Sequence, residues 1–186
     1  ILLEGDGQVR ALICLGGNPV AAWPDQQKTI AAMEKLELLV TIDPEMSATA
    51  KLAHYVIAPR LSLEQPGHTL PIETLSAYAY GMGYESPYAQ YAAQLLEPPA
   101  GSDVIEDWEF FYGLAQRMGL ALSLESAFPW IAAGSATVPV ALDMRTQPTT
   151  AQLLEMLTRG SRVPLEDVQA HPHGHVFDDE PVTVQA

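Results

Sequence analysis

Two apolar runs joined by a helical segment constrain the fold of this chain most strongly. The first run, residues 9–15, ends at the turn GGNP, and the second run, residues 38–42, ends at an Asp-Pro pair. Between them, apolar residues recur at helical spacing after Asp25, a residue that can serve as a helix N-cap. Strand, turn, helix and strand in this order predict a βαβ unit with parallel strands and a right-handed crossover.

Two further elements continue this pattern. Residues 55–58 predict a third short strand. Residues 102–119 predict a helix that is capped by Ser102 or Asp103, or a shorter helix that is capped by Asp107. The predicted fold class is therefore α/β, with a Rossmann-like parallel sheet and flanking helices.

The remaining stretches are less regular. We expect a helical patch over residues 87–96 and a small helix over residues 148–158, with a loop-like tail from residue 163 onward. Residues 121–186 are thus predicted to form a loop-rich C-terminal extension with one short helix.

The composition excludes several classes of partner. Hydrophobic residues make up 48% of the chain, while 23 acidic residues against 9 Lys and Arg give a formal net charge of −14. A surface this acidic argues against nucleic-acid binding and against docking on anionic membranes. No apolar run approaches the length of a membrane span.

The single cysteine and the first residues bear on location and completeness. Cys14 lies within the first apolar run, so we expect a buried core thiol, and the cysteine usage favours a cytoplasmic over a periplasmic location. The chain begins ILLEGDG without an initiator Met, and we therefore expect it to be part of a longer polypeptide.

Three positions are candidates for binding a nucleotide, and each has a structural alternative. Gly17 and Asn18 offer backbone N–H groups to a phosphate or sugar, or else form a tight turn with Asn18 in a left-handed or capping role. Asp43 suits sugar hydroxyls or guanine N–H groups, or else an Asp-Pro turn. Asp107 is either a second acceptor in the same cleft or an acid favoured by the helix dipole.

The histidines near the C-terminus are candidates for a metal site. His171, His173 and His175 alternate, and in an extended segment their imidazoles would share one side. Pro172 and Gly174 are typical of a loop, so we favour a solvated or interdomain loop over a metal site. No nucleophile stands with a base, and we predict no catalytic residue in this chain.

Four motifs together resemble one family. GGNP, then LLVTIDPEMSATAKLAHYVIAP, then LSLEQPG, and then DWEFFYGLAQRMG occur in the order seen in molybdopterin oxidoreductases, the relatives of dimethyl sulfoxide reductase and formate dehydrogenase. The resemblance covers roughly residues 8–120. It implies part of one of the two related α/β domains that each hold a molybdopterin guanine dinucleotide, whose dithiolenes bind molybdenum or tungsten.

The resemblance assigns roles to the candidate residues. Gly17 and Asn18 would contact the phosphate or ribose portion of the cofactor, and Asp43 with the backbone of Ile42 would hold its guanosine end. Asp107 would accept hydrogen bonds from N1–H and the N2 amine of guanine.

Some positions depart from the family pattern. The family's lysine in the EKxG loop is Gln65 here, so that contact becomes at best a hydrogen bond. The family's Asp in ADxVLP is His54, which we expect to be structural. Residues 68–101 have no counterpart in compact members, which indicates an insertion within a domain over residues 1–120.

The resemblance also implies what lies outside the chain. An iron–sulfur motif and a metal-ligating residue would belong to a missing N-terminal part, and residues 121–186 would lead toward a missing C-terminal domain. We expect the partners to be the pterin cofactor, the remainder of the parent chain and electron-transfer subunits. The chain alone is then inactive in redox catalysis. The alternative is a stand-alone nucleotide-binding or interaction module of Rossmann-like fold without redox activity.

Overall fold

A three-stranded parallel sheet frames the N-terminal part of the chain. In the computed structural model, which describes residues 5–69, 88–124, 139–159 and 163–177, its strands are β1 (Ala11–Leu15), β2 (Leu38–Ile42) and β3 (Tyr55–Ile57). They lie in the order β1-β2-β3, and both pairings are parallel. The predicted parallel βαβ unit and the mixed α/β class are confirmed.

Two helices connect β1 to β2. α1 (Pro19–Ala22) is a single turn, and α2 (Gln26–Met33) begins after Asp25. Asp25 has a φ of 56° and its side chain accepts a hydrogen bond from the backbone N–H of Lys28 at 3.2 Å. The predicted N-cap is therefore present, and it occupies a left-handed conformation that short polar residues tolerate.

The core of this part lies between the sheet and the helices. Its buried members come from β1, β2, both helices and the residues after α2: Cys14, Val20, Met33, Leu36 and Leu39. Burial raises the pKa of the Cys14 thiol. The expectation of a buried core thiol is confirmed.

His54 extends the pairing between β2 and β3. The imidazole Nδ1 accepts a hydrogen bond from the backbone N–H of Leu39 at 2.9 Å. The backbone N–H of His54 donates to the carbonyl of Leu39 at 2.8 Å. The imidazole thus takes the place of a backbone acceptor before β3 begins. This is the structural role that the sequence predicts for His54.

The chain divides into two compact units. The first comprises Ile1–Glu64 and Leu96–Phe111, and the second comprises Gln65–Leu95 and Tyr112–Ala186. The chain therefore leaves the first unit after Glu64 and returns to it at Leu96.

Short antiparallel strand pairs occur in the second unit. In chain order these strands are β4 (Gly67–His68), β5 (Tyr88–Ala89), β6 (Tyr91–Ala92), β7 (Ser123–Leu124), β8 (Val140–Ala141) and β9 (His175–Val176). β4 pairs with β6, β5 with β9, and β7 with β8.

The helix predicted over residues 87–96 is wrong. Residue 87 lies outside the described residues, and the stretch that follows it forms β5 and β6. Gln90 between them exchanges hydrogen bonds with Thr69, whose hydroxyl accepts from the Gln90 N–H at 2.9 Å. Tyrosines favour extended structure, and these cross-strand partners outweigh the helical spacing.

Three helices follow in the C-terminal half. α3 (Asp107–Met118) is close to the shorter predicted version, but Asp107 is its first helical residue and not its cap. The helix ends at Gly119, whose φ is 68°. α4 (Thr150–Leu157) begins with a capping box between Thr149 and Gln152. No helix among the described residues is long and apolar enough to cross a membrane.

A further helix, α5 (Leu165–Gln169), lies where the sequence predicts a loop-like tail. Pro164 precedes it, and its first turn contains Glu166 and Asp167. The helix dipole stabilises negative charges at this end of a helix. The described part of residues 121–186 therefore holds two short helices instead of the predicted one.

Candidate functional site

Backbone hydrogen bonds tie the carboxyl ends of the three parallel strands together. The N–H of Gly16, directly after β1, donates to the carbonyl of Ile42 at 3.0 Å. The N–H of Asp43, directly after β2, donates to the carbonyl of Ile57 at 3.1 Å. The turns after β1 and β2 therefore lie side by side at one edge, which we call the carboxyl edge. Open α/β sheets bind ligands at such edges.

The start of α3 joins the same edge. Pro59 forms a parallel bridge with Ile105, the Arg60 N–H donates to the Ile105 carbonyl at 2.8 Å, and the Ile105 N–H donates to the Ala58 carbonyl at 3.2 Å. Ile105 thus occupies a fourth strand position beside β3. Asp107 follows it, two strand spacings or roughly 10 Å along the edge from β2.

The turn after β1 presents hydrogen-bond donors. Gly16 has a φ of 57°, a conformation that favours glycine, and it turns the chain out of β1. The backbone N–H groups of Gly17 and Asn18 have no acceptor among the residues that the structure describes. A phosphate or a sugar oxygen is the kind of group that such donors bind.

Asn18 occupies the N-cap position of α1, where its carbonyl accepts from the N–H groups of Ala21 and Ala22, but it does not adopt the left-handed conformation that was the other predicted alternative. Its φ and ψ are −121° and 73°, and its side chain makes no capping bond. Its Oδ1 instead accepts from the Thr49 N–H at 3.2 Å and from the Thr49 hydroxyl at 2.8 Å. That hydroxyl in turn accepts from the Val20 N–H at 3.0 Å. The Asn18 Nδ2 group has no partner among the described residues, which makes it a third donor.

Asp43 forms the predicted Asp-Pro turn and keeps one oxygen available. Its Oδ1 accepts from the Glu45 N–H at 2.9 Å, which fixes the orientation of the half-buried carboxylate. Within the described residues, no group donates to its Oδ2. The turn and a ligand contact are therefore compatible at Asp43.

Asp107 is the least satisfied acid at this edge. The side chain is half-buried, and its Oδ1 is enclosed without a hydrogen-bond donor among the described residues. Burial, and then the charge of Glu106, raise the pKa of this carboxyl. Asp107 also lies in the first turn of α3, where the helix dipole stabilises a negative charge. The structural alternative predicted for Asp107 is therefore compatible with a ligand contact.

Glu106 and Arg60 form a second layer behind Asp107. Glu106 is 8% exposed, accepts from the Trp108 indole N–H at 2.9 Å, and lies 3.6 Å from Nη1 of Arg60. The same Nη1 donates to the Glu64 carbonyl at 3.4 Å, and the Arg60 Nε is buried without a partner. The sequence analysis missed both residues, because they become neighbours only through the pairing of Pro59 with Ile105.

Two other sets of sequence candidates lie in the second unit. Gln65 is half-buried two residues before β4, and its role stays a prediction. His171 and His175 stack with their ring centroids 4.1 Å apart, and His173 takes no part in that stack. Among the described residues, no group of three or more His, Cys, Asp or Glu side chains is placed to hold a metal ion.

The chain is similar to parts of several characterised oxidoreductases, although no protein-family model matches it. It is 34% identical over 119 residues to NADPH-Fe(3+) oxidoreductase subunit alpha of Geobacter sulfurreducens, which covers 63% of this chain and 12% of that protein. It is 47% identical over 45 residues to the formate dehydrogenase-O major subunit of Escherichia coli, covering 24% of this chain and 4% of that protein. These homologues are members of the molybdopterin oxidoreductase family, and each of them matches only part of this chain. A solved structure of acetylene hydratase from Pelobacter acetylenicus aligns with 61% of this chain and 14% of its own, at a TM-score of 0.49 and 26% identity.

The chain spans about an eighth of the length of its relative from Geobacter sulfurreducens. Two of the relatives are named as subunits. The structure places Gly17, Asn18, Ile42 and Asp43 at the carboxyl edge, and Asp107 follows Ile105, which pairs beside β3. A signal for the missed Thr49 was present in the motif SATAKL, but spacing alone does not reveal its bond to Asn18.

Proposed function

We propose that this molybdopterin oxidoreductase segment binds the guanosine end of a molybdopterin guanine dinucleotide at its carboxyl edge. The buried Oδ1 of Asp107, which accepts no hydrogen bond from any residue that the structure describes, carries the proposal. An enclosed carboxylate oxygen without a donor costs free energy, and a ligand that supplies N–H groups removes that cost. Guanine presents N1–H and the N2 amine side by side, so one carboxylate can accept from both.

The rest of the edge is complementary to the rest of a nucleotide. The donors of Gly17 and Asn18 lie after β1 and suit phosphate or ribose oxygens, which accept hydrogen bonds. Asp43 lies after β2, beside the Ile42 backbone, and its unpaired Oδ2 suits a ribose hydroxyl. Donors at one end and acceptors at the other support a nucleotide that runs along the edge from phosphate to base.

Further parts of the proposal come from the family. The Rossmann-like domain would extend over residues 1–120 with an insertion near 68–101, and residues 121–186 would form the extension. When bound, the cofactor supplies molybdenum- or tungsten-dependent redox chemistry. Gln65 would make a hydrogen bond where other members use lysine. Electron-transfer subunits and an iron–sulfur cluster would belong to the whole protein, and the chain alone would not turn over a redox substrate.

A nucleotide titration of the 186-residue chain tests the guanine site. We expect GDP to bind more tightly than ADP, and Asp107→Asn to weaken GDP binding roughly tenfold or more, because it removes hydrogen bonds to a charged acceptor. Asp167→Asn is the matched control, since it removes the same charge from the first turn of α5 in the second unit.

Equal affinity for GDP and ADP would contradict a guanine site. So would an Asp107→Asn variant that binds GDP as tightly as Asp167→Asn does. Loss of GDP binding in Asp43→Asn as well would extend the site to the turn after β2. Nucleotide binding without any preference for guanine would favour the stand-alone module instead.

A further inference from the structure

The first turn of α3 is held by an arrangement that leaves Asp107 out. The N–H of Glu106 donates to Oε2 of Glu109 at 2.8 Å, and the N–H of Glu109 donates to the Glu106 carbonyl at 3.0 Å. The bond from the Glu106 N–H to the Glu109 carboxylate corresponds to one half of a capping box, in which an acid at the third helical position satisfies the backbone N–H before the helix. The side chain of Glu106 does not cap the helix and can therefore contact other groups.

The released Glu106 side chain reaches back toward β3. It accepts from the Trp108 indole and pairs with Arg60, whose backbone N–H is bonded to Ile105. Arg60 therefore contacts two consecutive residues: its backbone N–H donates to the Ile105 carbonyl, and its guanidinium pairs with the Glu106 carboxylate. The end of β3 and the start of α3 are joined through these contacts.

We propose that Arg60 and Glu106 are positioning residues that orient the Asp107 carboxylate toward the guanine edge of the nucleotide. This inference rests on the proposed function. Neither residue needs to touch the ligand, because each acts on the turn that carries Asp107. A shift of that turn would leave one Asp107 oxygen able to reach guanine N1–H while the other loses the N2 amine.

The ratio of GDP to IDP affinity measures this orientation, because the inosine base lacks the N2 amine. We expect the wild-type chain to prefer GDP, and Arg60→Met to reduce that preference several-fold toward equal binding. Arg60→Lys retains a cation and should restore part of the preference. Arg10→Met is the matched control, because it also removes an ion pair from the first unit. Arg10 lies directly before β1 and pairs with Glu37 at 2.6 Å.

A second measurement reads the same arrangement without a nucleotide. Burial, and then the charge of Glu106, raise the pKa of Asp107, and the Arg60 guanidinium lies 3.6 Å from the Glu106 carboxylate. Carboxyl titration by NMR should therefore show a lower Asp107 pKa in Glu106→Gln and a higher one in Arg60→Met. Faster amide exchange in the first turn of α3 should accompany Arg60→Met, while circular dichroism shows the fold retained.

The outcomes separate the two proposals. If Asp107→Asn abolishes the guanine preference but Arg60→Met leaves it intact, the positioning role is wrong and the guanine site stands. If Asp107→Asn has no effect on nucleotide binding, the guanine site is wrong, and the positioning role falls with it. If the guanine site stands, the NMR titration and the amide exchange are a second test of the positioning role. An unchanged Asp107 pKa and unchanged exchange in both Arg60→Met and Glu106→Gln would then overturn it.

Discussion

The hydroxyl of Thr49 donates to the amide oxygen of Asn18 at 2.8 Å, which ties the turn after β1 to the segment after β2. Because Thr49 also receives the Val20 N–H at 3.0 Å and is fully buried, its hydroxyl serves both as donor and as acceptor. The amide oxygen of Asn18 is thereby occupied, and the Nδ2 group is left to face a ligand. The orientation of Asn18 depends on a residue 31 positions away in sequence.

Replacing Thr49 tests this link directly. Thr49→Val keeps the shape of the side chain but leaves the Val20 N–H without its acceptor, and we expect a loss of about 1–3 kcal/mol in the free energy of unfolding. Urea denaturation measures the loss. Thr49→Ser retains the hydroxyl and should lose clearly less. Equal destabilisation in the two variants would mean that the methyl group, not the hydroxyl, is what Thr49 contributes.

His54 gives a prediction about the β2–β3 pairing. His54→Ala removes the acceptor for the N–H of fully buried Leu39, so the variant should lose about 1–3 kcal/mol of unfolding free energy. His54→Asn is the matched control, because its Oδ1 can lie where Nδ1 lies in the histidine. Thermal unfolding compares the two, and we expect the Asn variant to melt closer to wild type. Equal melting temperatures for His54→Ala and His54→Asn would mean that the hydrogen bond from the Leu39 N–H does not stabilise this position.

Asp25 gives a prediction about the start of α2. Asp25→Ala loses the hydrogen bond from the Lys28 N–H. It also places alanine at a φ of 56°, where alanine has no polar side chain to offset the cost of a left-handed conformation. The two effects together should cost about 2 kcal/mol, of which the cap contributes roughly half. Asp25→Asn keeps both the cap and the tolerance for a left-handed conformation, so chemical denaturation should place it near wild type. A nearly neutral Asp25→Ala would show that α2 does not need this cap.

Asp107 gives a prediction about pH. Burial and the charge of Glu106 raise the pKa of this carboxyl in the folded chain above the value in the unfolded chain. The stability contributed by Asp107 is then fully present below the ordinary pKa of aspartate and is lost as pH rises through the raised value. Unfolding free energies measured from about pH 4 to pH 7 should therefore show Asp107→Asn gaining on wild type as pH rises.

A constant difference between Asp107→Asn and wild type across that range would contradict the raised pKa. Asp167→Asn serves again as the control for removing a carboxylate from a helix start. The prediction carries a functional consequence: the substitution whose stability relative to wild type we expect to rise toward neutral pH is the one that we expect to weaken GDP binding.

Local patterns predicted the first unit well. β1, β2 and β3, the α2 N-cap at Asp25 and the shorter version of α3 all follow from short apolar runs, turn residues and a cap, which act over a few positions. The same reasoning failed at residues 88–92 because the pairing partners there are distant in sequence, including Thr69 and β9.

The site was only partly visible for the same reason. Asp43 and Asp107 stand in motifs, and each could be named from its own neighbourhood. Arg60 and Glu106 carry no motif, and their ion pair exists because Pro59 lies beside Ile105. Likewise, the bond from Thr49 to Asn18 depends on how two turns meet, which no periodicity encodes.

The bridge between Pro59 and Ile105 also bears on the order of folding. Between these two residues the chain leaves the first unit after Glu64 and returns at Leu96, so the bridge closes a long loop. Closing such a loop is slower than forming a helix or joining neighbouring strands. We therefore expect β1, β2 and β3 to assemble early in refolding, while the capacity to bind a nucleotide arises only in the last step, when Ile105 docks beside β3.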